Sequence, residues 1–112
     1  DEPIAKRLET ADAGRGEKAV GACKACHSFE AGGANKVGPA LHGIFERAKG
    51  SVAGFGYSAA MKGKASEKWG PEELDGFIKN PKAYLAGTSM AFAGIGKAEQ
   101  RADVIAYLKS LK

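Results

Sequence analysis

The 112-residue chain has two cysteines, two histidines, two methionines and one tryptophan, and each shortage excludes something. A closed structural zinc site needs four Cys or His ligands, so it would have to use all four that exist. Adjacent Cys26 and His27 are poorly placed to share one tetrahedral ion. β-Branched runs and strict apolar–polar alternation are both missing, which argues against a sheet-dominated fold. No apolar run reaches the length of a membrane span. The opening DEPIAKRLET is too charged for a signal peptide, so the expectation is a cytosolic protein or one whose leader or anchor has been removed. The net charge of +4 favours acidic partners. Its lysines are scattered rather than interleaved with stacking aromatics, which speaks against nucleic acid.

What is present fits one compact, loop-rich domain, with 44% hydrophobic residues and 16 glycines. A core this small gains from a covalently held cofactor that supplies apolar interior. Residues 1–13 read as a polar lead-in and 14–112 as the domain. A helix is expected from about Gly16 to the cysteines, with Val20 as its main apolar contact. From Glu30 to Gly56, glycines and Pro39 interrupt every period, which predicts a long loop region. YSAAMKGK reads as a short helix ended by Gly63. In WGPEELDGFIKNP, Pro71 sits in a first turn, Glu72 and Glu73 lie at the positive end of the dipole, and Leu74, Phe77 and Ile78 share a face. Asn80 and Pro81 stop that helix, and KAYLAGTSMAFAGIG is expected to be a wrapping loop. KAEQRADVIAYLKSLK sets Val104, Ile105, Leu108 and Leu111 at helical spacing, a terminal amphipathic helix.

The chemistry concentrates in CKACH, residues 23–27. A thioredoxin-like dithiol needs Cys-x-x-Cys at a helix start inside a βαβ unit, and no strand precedes Cys23. Cys-x-x-Cys-His is the spacing for covalent haem attachment. Two thiols add across the vinyl groups on one porphyrin edge, and the next residue brings an imidazole nitrogen to the iron. The candidates for a sixth ligand are Met90, Met61, His42, a lysine, or none. Met90 stands in GTSMAFAG, where bracketing glycines let backbone bend a thioether against a flat ring. Met61 reads better as packing, and His42 as a hydrogen-bonded or surface histidine.

CKACH, VGPALHGIFER, GFGYSAAMK, KNPKAYLAGTSMAFAGI and RADVIAYLK, in that order, resemble a class I c-type cytochrome of the branch shared by bacterial cytochrome c2 and mitochondrial cytochrome c. The resemblance runs from Gly16 to Leu108. It implies an all-α small cytochrome c fold, with N- and C-terminal helices packed together around one haem c held through Cys23 and Cys26. It implies His27 and Met90 as axial ligands, with the Pro39 carbonyl on the other nitrogen of His27. Arg47, Tyr57, Trp69 and Thr88 match positions that hold the haem propionates, and Phe92 would cover the haem near its exposed edge. Gly16 and Val20 would pack on Val104, Tyr107 and Leu108.

Two departures stand out. Phe77 takes the place of a tyrosine whose hydroxyl bonds the methionine sulfur in many relatives, and Met61 that of an asparagine beneath the propionates. More apolar surroundings disfavour the extra charge of ferric iron, so a raised potential is expected. Lys24, Lys36, Lys82 and Lys97 match or flank a lysine ring around the haem edge, expected to dock redox proteins with acidic faces. Those would be a cytochrome bc1-type complex, an oxidase, a reaction centre or a dehydrogenase.

The resemblance thus implies a soluble, monomeric single-electron carrier rather than an enzyme. It would sit in the bacterial periplasm, as a free protein or as the haem domain of a longer anchored carrier. The rival reading is a haem enzyme or gas-binding protein in which Met90 detaches, and it lacks a convincingly placed distal His and Arg pair.

Overall fold

A computed structural model describes residues 2–24, 26–36, 38–52, 55–85 and 94–111. Among them are six helices: α1 (Ile4–Arg7), α2 (Ala13–Ala19), α3 (Ala59–Lys62), α4 (Pro71–Lys79), α5 (Pro81–Tyr84) and α6 (Ala98–Ser110). A 3-10 turn, Val20–Ala22, continues α2 towards the cysteines. The described residues form no strand, only an isolated antiparallel bridge between Ala48 and Lys68.

The helix starts follow local chemistry. α2 begins three residues before Gly16 because the Asp12 carboxylate accepts from the Arg15 amide, a side-chain N-cap. Ser58 caps α3 in the same way, accepting from the Met61 amide. Pro71 opens α4, with Glu72 and Glu73 in its first turn. Asn80 then has two roles: it ends α4, and its side chain accepts from the Ala83 amide to cap α5, which opens on Pro81. The loop expected after Asn80 therefore starts with a helical turn. A proline that cannot continue one helix is well suited to the first position of another.

α2 crosses α6 at Gly16, where an added Cβ would overlap the Asp103 carbonyl and press on the Tyr107 Cβ. Val20, Val104, Ile105 and Leu108 are buried at this crossing and join one core with Phe29, Ile44, Met61, Trp69, Leu74, Phe77, Leu85 and Ile95. Asp103 is also buried. One oxygen accepts from the Asp12 amide at 2.9 Å, the other from Arg15 Nε at 3.0 Å, tying the start of α2 to α6. The buried face of α6 thus carries two charged residues, Arg101 and Asp103, besides its apolar set.

The lead-in is not a bare polar tail. Ile4 is buried, and the Arg7 guanidinium donates to both Asp75 oxygens, at 3.1 and 2.7 Å. Arg101 donates to Asp75 at 2.8 Å and to the Ile95 and Gly96 carbonyls at 2.9 Å each. One carboxylate from α4 therefore joins α1 and α6. Burial pushes the Asp75 carboxyl up, but the two arginines outweigh it and hold its pKa below the usual value.

Because the folded pKa of Asp75 is depressed, its contribution is complete above the ordinary carboxylate value of about 3.9 and is lost as pH falls through the folded value. Asp75→Asn should lower stability at neutral pH by about 3 kcal/mol. It should also show a smaller loss of urea midpoint on acidification than the parent. An unchanged acid profile would contradict this role.

Candidate functional site

The segment after α2 stays tightly turned. Cys26 and His27 donate their amides to the Cys23 carbonyl at 3.1 and 2.9 Å, and Cys23 donates to Val20 at 2.8 Å. These bonds set Cys23, Cys26 and His27 on successive positions of one turn leaving the buried α2–α6 crossing. No disulfide joins the two cysteines, and both are half-buried. Burial, followed by the neighbouring Cys26 thiol, pushes the Cys23 thiol up, the opposite of what a dithiol redox site needs. Among the described residues, which include both cysteines and both histidines, no three Cys, His, Asp or Glu side chains gather as a metal-ion site.

His27 is buried, and its Nδ1 lies 2.7 Å from the Pro39 carbonyl. A carbonyl only accepts, so Nδ1 carries the proton and Nε2 keeps its lone pair for a metal. Burial lowers the His27 pKa against the opposing effect of the Pro39 bond, which favours the neutral ligating form. The Pro39 strand of chain is itself pinned. Gly38 donates to the Cys26 carbonyl at 2.7 Å, Leu41 to the Ser28 carbonyl at 2.8 Å, and Ala40 to the Asn35 side chain at 2.9 Å. Gly38 must lack a side chain, since a Cβ there would overlap the His27 ring. Two thiols, a neutral imidazole with one free nitrogen, and a glycine cradle behind it form a donor set that fits a covalently bound haem.

The family model described as cytochrome c matches residues 13–112. The chain belongs to the cytochrome c family. It is 53% identical over 111 residues to a cytochrome c homolog from Bradyrhizobium diazoefficiens, covering 98% of this chain and 60% of that protein. The chain therefore spans a little under two thirds of that relative's length. Cytochrome c from Gibberella zeae is 51% identical over 87 residues, 78% of this chain and 81% of its own. Cytochrome cH from Methylobacterium extorquens superposes with a TM-score of 0.82 at 40% identity, over 89% of this chain and 99% of its own. These relatives make the chain a class I c-type cytochrome with the small cytochrome c fold, one haem c bound through Cys23 and Cys26, and place it among electron-transfer proteins rather than enzymes.

Of the other expected site residues, the structure brings Arg47, Tyr57 and Trp69 into one neighbourhood. Trp69 donates its amide to the Arg47 carbonyl at 2.8 Å. The Arg47 side chain donates to the Ser51 hydroxyl at 2.8 Å, and the Tyr57 hydroxyl accepts from the Val52 amide at 3.0 Å. Arg47 is exposed and Trp69 buried. Thr88, Met90 and Phe92 lie outside the described residues. On their far side, Gly94 takes φ +115° with no room for a Cβ beside the Lys79 carbonyl, and Ile95 donates to the Ile78 carbonyl at 2.8 Å.

Phe77 is buried edge-on against Trp69, with ring centroids 5.1 Å apart. Met61 is in the core. His42 is half-buried with Nδ1 3.2 Å from the Phe29 carbonyl. Lys24, Lys36, Lys82 and Lys97 are all exposed. Lys36 reaches the Lys24 carbonyl at 3.3 Å, so these two are neighbours; Lys82 is in α5 and Lys97 immediately precedes α6. Sequence reasoning missed Lys49, whose ammonium is enclosed beside Trp69. Only its proximity to Trp69 across 20 positions would have revealed it.

Gly38→Ala should lower stability by about 1–3 kcal/mol through overpacking, with a changed haem absorption spectrum. Gly96→Ala, whose Cβ meets nothing within 4 Å, should leave both unchanged. Equal effects in the two variants would contradict the His27 cradle.

Proposed function

We propose that the protein is a single-electron carrier whose haem iron is held by His27 on one side and Met90 on the other. It works between respiratory or photosynthetic redox partners in the bacterial periplasm, in the manner of cytochrome c2. The observation that carries this reading is the His27 imidazole: its Nδ1 proton is committed to the Pro39 carbonyl, so Nε2 is directed to a metal with a fixed tautomer. Bound haem c supplies a reversible one-electron couple. The chain keeps ring orientation constant through the Pro39 bond and the Gly38 cradle, so that little rearranges when charge changes. A buried imidazole in a packed core also keeps water away from that side. Arg47, Tyr57, Trp69 and Thr88 hold the haem carboxylates, which are costly to bury without donors, and Phe92 covers the haem edge.

Lys24, Lys36, Lys82 and Lys97 are the docking cations. Their exposure supports this role, because a charge that steers encounter must face solvent. Among the described residues, no helix is long and apolar enough to cross a membrane.

The oxidised protein should show a weak sulfur-to-iron charge-transfer band in the near-infrared that disappears in Met90→Ala, and the reduced protein should bind no carbon monoxide. Absence of the band, with ready carbon monoxide binding, would move the assignment to a haem enzyme or gas-binding protein with an open iron site. Electron transfer to an acidic partner should slow steadily with added salt. A salt-independent rate would remove the lysine face from the mechanism.

A further inference from the structure

Lys49 is 1% exposed, as enclosed as any charged side chain among the described residues. Its ammonium lies 2.8 Å from a Glu67 oxygen and donates to the Tyr84 hydroxyl at 2.8 Å. It also stands 4.8 Å from the ring centroids of both Trp69 and Tyr84. With the Tyr84 hydroxyl 2.8 Å away and that ring's centroid 4.8 Å away, the ammonium lies past the hydroxyl rather than over the Tyr84 face, so its π contact is with Trp69, 4.8 Å from the ring centroid. Burial pulls the Lys49 pKa down, but the Glu67 carboxylate and Tyr84 hydroxyl outweigh it and leave the pKa raised, so the group is charged at neutral pH.

The same residues close a neck in the chain. Lys49 donates its amide to Glu67, Trp69 to Arg47, and Glu46 to Trp69, each at 2.8 Å, around the Ala48–Lys68 bridge. The ammonium then ties this neck to α5 through Tyr84. Phe77 completes the aromatic set, edge-on to Trp69 at 5.1 Å and to Tyr84 at 5.9 Å. Trp69 thus has both a ring and a cation against it. Arg47 is exposed and engaged with Ser51, where solvent screens it, and Lys64, partly exposed, lies 3.6 Å from the other Glu67 oxygen.

We propose that Lys49 is a positioning residue for electron transfer: its ammonium fixes the Trp69 indole and stations a positive charge, offset by Glu67, behind the wall that faces the haem carboxylates, and so sets the reduction potential. This rests on the assignment of Trp69 to that wall under the proposed function. A nearby cation disfavours ferric iron, so removing it lowers the potential, whereas removing the Glu67 carboxylate leaves the cation less compensated and raises it.

The test is a potentiometric titration of the purified holoprotein and three variants at neutral pH and low ionic strength, with the near-ultraviolet circular dichroism of the single tryptophan recorded alongside. Lys49→Met should titrate at lower potential with an altered tryptophan signal, Glu67→Gln at higher potential, and Lys49→Arg close to the parent in both. A lysine that served packing alone would give shifts of the same sign in Lys49→Met and Glu67→Gln, since both break one pair, and that result or the absence of any shift overturns the proposal. Should Lys49→Met fail to fold, Glu67→Gln decides: a rise supports the proposal, and no rise overturns it. The near-infrared band of the parent reports the Met90 assignment separately, so its absence leaves the opposed signs still to be read.

Discussion

The structure depends on one backbone contact. At Gly16 the first half of α2 lies so close to the Asp103 carbonyl that a single extra carbon has no place. Helices approach this closely only where one side chain is hydrogen, and the reward is burial of Val20 against Val104, Ile105 and Leu108. About 2 kcal/mol accompanies burial of each such side chain, which is a large share of the stability of a domain of this size. The Asp103 carboxylate fixes the rotation of the crossing by binding Asp12 and Arg15 at once.

From that crossing the functional turn follows with little freedom. The 3-10 turn leads directly into Cys23, and the Cys23 carbonyl gathers the Cys26 and His27 amides. The imidazole is then captured by the Pro39 carbonyl, on a segment anchored back onto the same turn through Gly38 and Leu41. A second framework, independent of the first, joins α1, α4 and α6 through Asp75 between Arg7 and Arg101. A third closes the neck around Lys49 and Trp69. All three carry buried charge, Asp103 at the crossing, Arg7 and Arg101 around Asp75, and Lys49 at the neck, and breaking such a pair is costly even when forming it contributes little net stability.

Much of this was legible in the sequence wherever the cause is local. Pro71 with two glutamates marked α4, Gly63 the end of α3, and the spacing of Val104, Ile105 and Leu108 marked α6. The CKACH spacing named the cofactor because its chemistry dictates its residues. α5 was missed because Asn80 and Pro81 were read only as a stop, although the same pair is also a start. The lead-in helix was missed because four residues carry too little periodicity. Nothing in the sequence marks Arg7, Lys49 and Arg101 as buried, since their partners are 68, 35 and 26 positions away and only the folded chain brings them together.

The dependence of the whole on the α2–α6 contact is tested most directly by comparing Gly16→Ala with Gly21→Ala in urea unfolding. Alanine inside a helix ordinarily stabilises by about 0.5–1 kcal/mol over glycine, and at Gly21, where a Cβ meets nothing within 4 Å, the change should be neutral or favourable. At Gly16 the sign should invert, with a loss of about 2 kcal/mol or more from forced separation of the helices, together with a disturbed haem absorption spectrum. Equal stability in the two variants would show that the helices do not meet as closely as described and that the haem-binding turn is positioned by something else.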